Sequence, residues 1–219
     1  MQERYLGDVH DYYKFLFLKN FSKKFKTKIG LNWYLTDPKD LGPKELQLND
    51  GEKRNYLEKG DIKIYDQNLY MEMKFLKKKE NRILSKFIKR THLKNYLGFH
   101  SSILRPDKRE AWDKSSFNFY RNYNYLFLDP DNGLENKVAA SKKRKIKYLL
   151  IDEINKIYKQ KKNFFFCQFQ PLNISHKLFL KKKVDQIYNL LDIKVELPIL
   201  RNRVAPNTFF FTIAQKKKY

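Results

Sequence analysis

Two hydrophobic periods alternate along the chain. From Asp8 to about Phe21, "DVHDYYKFLFLKNF" puts Val9, Tyr12, Tyr13, Leu16 and Phe17 on one broad face, the spacing of a helix packed along one side. Asp8 is a good N-cap, and Asp11 sits three residues on, where a capping-box partner belongs. "TKIGLNWYLT" (27–36) changes to the β-branched, aromatic and Leu-rich pattern of a strand. The polar, Pro- and Gly-punctuated run 37–53 reads as a loop. Residues 65–93 read as mostly helical, with Asp66 as a cap and a lysine-rich exposed side. The stretch from Gly98 to Trp112 follows neither period.

Beyond it the pattern sharpens. "YNYLFL" (123–128) is a strand, "NKVAASKKRKIK" (136–147) a basic loop, and "KYLLIDEINKIYKQ" (147–160) a helix with Leu150, Ile154 and Ile157 at helical spacing. "NFFFCQF" (163–169) is a continuous apolar run of the kind buried on both faces of a sheet. A helix over about 177–191 and two closing strands, "IKVELPIL" and "NTFFFTIA", complete the chain. This alternation predicts an α/β fold: a mainly parallel sheet with helices on both faces. A length of 219 residues fits a single domain. A helical insertion is expected around 65–120 and a short basic tail over 215–219.

Composition adds a partner. Lys and Arg number 47 against 24 Asp and Glu, a net charge of +23, which attracts phosphate backbones. Only ten of the basic residues are Arg, and the Lys, Asn, Ile, Phe and Tyr excess is also what an AT-rich genome produces. No apolar run approaches the ~20 residues of a membrane helix, and the first residues have no signal-type hydrophobic region. The single Cys167 rules out an intramolecular disulfide and a Cys-rich zinc site. A cytoplasmic protein that contacts DNA or RNA, and no membrane, is the expectation.

Candidate chemistry concentrates where the strand "YLFL" stops at Asp129-Pro130-Asp131-Asn132-Gly133. Asp-Asn-Gly is a common turn, and Pro130 fixes its neighbour's geometry. Yet ligands of open α/β sheets bind outside the carboxyl ends of the strands, and polar groups directly after an apolar strand suit such a site. Here "DPDNG" resembles the Asp-Pro-Pro-Tyr-type motif of Rossmann-like methyltransferases that act on exocyclic amines. "YLGDVHDYYKFLFLKNF" is similar to the amino-terminal helix of ribosomal-RNA adenine methyltransferases, and Gly7, Asp11 and Lys14 keep its spacing. A broader likeness is to an uncharacterised family of phages and bacterial mobile elements. It is carried by Gly7-Asp8, Asp11, Lys14, Asn32 to Thr36, Asp50-Gly51, Tyr56-Leu57, Phe127 to Leu134 and Lys147-Tyr148.

The resemblance implies a class I methyltransferase-like, Rossmann-like sheet and a nucleic-acid-modifying enzyme using S-adenosylmethionine. Asp129 and Asn132 would orient a target amine, with Asp131 beside them. Asp8, Asp11 and Lys14 would line the substrate side, and Tyr34, Thr36 and Asp50 the cofactor side. One departure is plain. A glycine-rich turn usually follows the first strand of such folds, but here Asp37-Pro38-Lys39-Asp40-Leu41-Gly42 follows, and none of the seven glycines forms a Gly-x-Gly pair. No acidic residue is seen ending a second strand.

Other constellations compete. Asp8, Asp11, Asp129 and Asp131 could meet over the sheet and bind Mg²⁺ for phosphoester hydrolysis, although Asp8 and Asp11 also suit helix capping. Asp61, Glu72 and Lys74 have an Asp…Glu-x-Lys nuclease layout, but in a stretch that reads helical. His10, His92, His100 and His176 show no ligand spacing, and Cys167 lies within an apolar strand. No Ser-His-Asp or P-loop signature is present. Lys142, Lys143, Arg144, Lys145 and Lys147 would flank the strand-end site and hold phosphates, with Tyr123, Tyr125 and Tyr148 as stacking partners. A non-catalytic nucleic-acid binder on the same fold is the third possibility.

Overall fold

The computed structural model describes residues 1–47, 53–136, 142–204 and 207–215. These contain one sheet of β1 (Ile29–Asn32), β2 (Leu97–His100), β3 (Tyr125–Leu128), β4 (Asn163–Phe169), β5 (Glu196–Asn202) and β6 (Thr208–Ile213). Their spatial order is β2-β1-β3-β4-β6-β5. β1 runs parallel to β2 and β3, and β3 to β4. β6 is antiparallel to both β4 and β5. The principal helices are α1 (Val9–Phe25), α2 (Gln67–Phe75), α3 (Leu84–Arg90), α4 (Arg109–Tyr120), α5 (Ile151–Lys159) and α6 (His176–Leu191).

Strand alternation sorts the core into two layers. Phe127, Phe165, Cys167 and Phe210 face Tyr12, Phe15 and Leu18 of α1, with Leu69, Met73 and Phe87 from α2 and α3. Leu126, Leu128, Phe164, Phe166, Phe209 and Phe211 face Trp112, Ile154, Ile157, Phe179 and Ile187 of α4 to α6. A strand covered on both sides has no polar position to alternate with, which is why "YLFL" and "NFFFCQF" are continuous apolar runs. Each such buried side chain contributes roughly 1.5–3 kcal/mol. None of the described helices is long and apolar enough to cross a membrane.

Several elements differ from the sequence expectation. The strand over 27–36 shortens to four residues because Tyr34 turns to φ +47. The turn is held locally, as the Tyr34 N–H donates to Asn32 Oδ1 at 3.2 Å. The helical stretch 65–93 breaks after Phe75, where Arg82 donates to the carbonyls of Leu76 and Lys77 and Asn81 to that of Phe75. The 65–120 segment supplies more than helices, since β2 within it pairs with β1. Gly98 interrupts that short strand for a packing reason: a Cβ there would run into the Tyr123 hydroxyl. Of the tail, only Gln215 lies within the described residues.

The topology also locates a site. From β1 the chain moves to β2 on one side, then returns to place β3 on the other. Where strand order reverses, the crossing helices diverge to opposite faces and leave a crevice at the strands' carboxyl ends. Here that crevice is bounded by Asn32 and Leu128, and the Asp129 N–H donates to Asn32 O at 2.9 Å across it.

Candidate functional site

A pocket of about 220 Å³ opens at this crevice, and Asp8, Asp11, Lys14, Asp129, Asp131 and Asn132 all line it. The six residues expected from the strand end and the first helix therefore converge. Local chemistry places the helix end. Asp8 Oδ1 accepts from the Asp11 N–H at 2.9 Å, and Asp11 Oδ2 reaches back to the Gly7 N–H at 2.9 Å. Gly7 has φ +80, and a Cβ on it would meet Leu76 Cβ at 2.7 Å, so both backbone and space demand glycine.

Lys14 is the electrostatic hub. Its Nζ lies 2.6 Å from Asp129 Oδ2 and 2.8 Å from Asp11 Oδ1. Burial opposes its charge, but Asp11 and Asp129 hold its pKa well above the ordinary lysine value. Burial raises the pKa of Asp129, and Lys14 restrains that rise. Asp8 is more exposed to the imbalance: burial, then the Asp11 charge, push it from 3.8 to about 7, with Lys14 acting the other way. His10, at the same rim, is driven down to about 4 by burial and then by Lys14, so it is neutral at pH 7. Its Nδ1 lies 3.2 Å from Thr208 Oγ1.

The opposite wall holds the Met1 nitrogen. The Met1 ammonium donates to Tyr34 O at 2.7 Å and Trp33 O at 3.1 Å, and lies 2.8 Å from Asp131 Oδ1. Met1 O accepts from the Thr36 N–H at 2.8 Å and, more loosely, from Thr36 Oγ1 at 3.4 Å. The buried Asp131 Oδ2 has no hydrogen-bond partner among the described residues, and Lys147 Nζ lies 3.9 Å from it. The left-handed Tyr34 aims the two carbonyls inward, the task a glycine usually serves in such a turn. Asn32 underwrites it: Oδ1 accepts from Tyr34 N–H, while Nδ2 donates to the Tyr120 hydroxyl at 2.6 Å.

For Tyr34 the expected role is corrected in kind. Its carbonyl, not its side chain, faces the site; the hydroxyl donates to buried Glu153 Oε2 at 3.0 Å, and the ring packs against Trp112. Thr36 does sit at the cradle. Asp50 lies outside the described residues. β2 ends on His100, followed by Ser101 and Ser102, with no carboxylate there.

Of the basic segment, Lys147 lines the pocket. Lys142–Lys145 form one helical turn, with Lys143, Arg144 and Lys145 exposed. The Lys142 side chain lies outside what is described. Lys147 is committed to an ion pair with Glu45 at 2.8 Å and bounds both the site and a neighbouring cleft of about 530 Å³ that Lys44, Arg144 and Tyr148 also line. Tyr123 and Tyr125 do not serve as stacking platforms. The first covers Gly30 and Gly98, and the second packs edge-on to Phe21 of α1 at 5.2 Å.

One supporting residue went unread. Gln168 Oε1 accepts from Leu134 N–H at 2.8 Å and its Nε2 donates to Asn132 O at 3.2 Å, so it clamps the turn that presents Asp131 and Asn132. Gly133, at φ +74, leaves the space Gln168 fills. A lone glutamine in the apolar run "NFFFCQF" was the available signal. The Asp61, Glu72 and Lys74 layout does not form a site. Glu72 accepts from Thr91 Oγ1 at 2.6 Å and from His92 N–H at 2.7 Å, tying α2 to the turn at 91–95, while Asp61 is exposed. Among the described residues no group of three or more His, Cys, Asp or Glu has the arrangement of a metal site. Comparison with models of protein families, with characterised proteins and with solved structures finds no match.

Proposed function

We propose that this chain is a nucleic-acid-modifying enzyme of methyltransferase type, acting on an exocyclic base amine with S-adenosylmethionine as donor. The observation that carries the reading is the ammonium cradle of Trp33 O, Tyr34 O and Asp131 at the β1–β3 crevice. Two backbone carbonyls and a carboxylate around one ammonium suit the α-amino group of an amino-acid-bearing cofactor. Met1 N occupies these three acceptors in this structure, so a cofactor amine would bind there by taking its place. The fit is to that end of the cofactor; a carboxylate for its ribose is not offered by His100-Ser101-Ser102. The reversal of strand order at β1 and the antiparallel β6 support a Rossmann-like sheet of the kind the resemblance implies.

Bound S-adenosylmethionine supplies an electrophilic methyl group. The residues of the chain position the amine and handle its proton. Asp129, held by Lys14 at the end of β3, is placed to accept a hydrogen bond from the amine and fix its orientation. Asp8, with a pKa of about 7, is poised to take the proton that the amine loses as it is alkylated. Asn132, Lys53 and Lys147 line the same pocket, and positive charge at its wall suits a polyanion.

The metal-dependent hydrolase reading uses the same carboxylates but is served less well. Lys14 already pairs with Asp11 and Asp129, the carboxylates a metal would need from the first helix and the strand end. Transfer of labelled methyl groups from S-adenosylmethionine to bulk RNA and DNA tests the choice. The expected result is incorporation that survives EDTA and falls by about 100-fold in Asp129→Ala, which removes the accepting oxygen. Strand cleavage that requires a divalent metal, without incorporation, would overturn it.

A further inference from the structure

A second concavity, of about 900 Å³, lies on the same face of the sheet as α1, between that helix and the β5–β6 edge. Tyr13, Phe17 and Phe21 recur at intervals of four along α1, so their rings form one stripe, which Phe25 extends at the far end. Phe17 stacks on Phe210 at 5.3 Å, and Phe21 meets Phe25 at 4.4 Å. The groove is open, with Phe25 51% and Leu200 43% exposed on its two sides. Lys24 and Arg203 line it, and no acidic residue does so among the described residues. The Lys24 ammonium lies 5.8 Å from the Phe25 ring centre, a cation beside a flat apolar face. Arg201 also lines it, with its guanidinium 5.9 Å from the Phe209 ring centre.

The wall of the groove is connected to the rim of the site. Asn202, in its wall, is paired with Thr208, whose hydroxyl contacts His10 at the rim of the strand-end pocket. We propose that this groove binds single-stranded nucleic acid, with bases against the exposed Phe25 and the outward edges of the other α1 rings and phosphates on Lys24 and Arg203, and delivers the strand to Asp129. Stacking platforms beside cations are how proteins hold single strands without reading sequence. The inference rests on the reading of the strand-end site as nucleic-acid-modifying, and it names the form of the substrate. A second copy of the chain is the competing occupant. The β5 edge is built against it, since Pro198 and the register irregularity between Glu196 and Leu200 interrupt the edge that strand pairing needs.

The test is fluorescence anisotropy of labelled single-stranded DNA and RNA oligonucleotides, and the matching duplex, with the full chain and no cofactor. The variants are Phe25→Ala and the pair Lys24→Glu and Arg203→Glu, all at exposed positions. Both should weaken single-strand binding by about tenfold or more, the charge variant should flatten the salt dependence, and duplex binding should change less. Unchanged single-strand affinity in both, with circular dichroism unaltered, overturns the proposal. So does a concentration-dependent dimer by light scattering that these variants abolish. Because no cofactor is present, failure of S-adenosylmethionine binding leaves this result standing, and failure here leaves the cofactor reading standing.

Discussion

Replacing Asp8 with Asn should stabilise the protein, and only above acid pH. Asp8 is buried at the start of α1, and burial with the Asp11 charge raises its pKa from 3.8 to about 7. Between those values the folded chain retains a proton that the unfolded chain has released. Stability therefore falls as pH rises through this window. At about 1.4 kcal/mol per pH unit, the cost of an ionised Asp8 reaches about 4 kcal/mol above pH 7. Asn keeps the cap, since its side-chain oxygen can accept from Asp11 N–H as Asp8 Oδ1 does. It never ionises, so it escapes the cost. His10 and His100, both lowered to about 4, and Glu153, raised to about 7, titrate in both proteins and largely cancel in the difference. Urea unfolding followed by the fluorescence of buried Trp33 and Trp112 reads the effect. The two proteins should agree within about 1 kcal/mol near pH 4.5, and the Asn variant should lead by about 4 kcal/mol near pH 8. Parallel pH profiles, or a less stable variant near pH 8, would refute the claim that Asp8 is held at a cost to the fold.

Three further expectations come from the same geometry. Lys14→Met leaves Asp11 and Asp129 buried without their cation and should cost about 3–5 kcal/mol near neutral pH, less on acidification, as measured by urea unfolding. Tyr34→Phe removes a donor from buried Glu153 and should cost about 1–2 kcal/mol, with Arg109, 2.7 Å from the carboxylate, limiting the loss. Gly98→Ala should lower stability by about 1–3 kcal/mol because its methyl group meets Tyr123, and the Tyr123→Ala background should shrink that penalty in a double-mutant cycle.

What the sequence revealed depended on the range of the interaction. The α1 cap, the end of β3 and the continuous apolar runs of β3 and β4 are local patterns, and they brought Asp8, Asp11, Lys14, Asp129, Asp131 and Asn132 to one pocket. β2 escaped notice because its four residues include a glycine whose reason, the Tyr123 hydroxyl, lies 25 positions away. The Tyr34 turn was hidden because an asparagine side chain, not a glycine, supports the left-handed residue. Gln168 looked like an interruption in a strand until the turn it clamps was seen beside it. The ammonium cradle is built largely from backbone carbonyls, which leave no residue signature at all.

The most direct measurement is calorimetric titration of S-adenosylmethionine into the full chain and into Asp131→Asn, each checked for folding. The account predicts roughly micromolar binding that weakens by about tenfold or more in the variant, the worth of one charge-assisted hydrogen bond to an ammonium. Absence of binding to the unaltered chain, or equal binding to both, would contradict it.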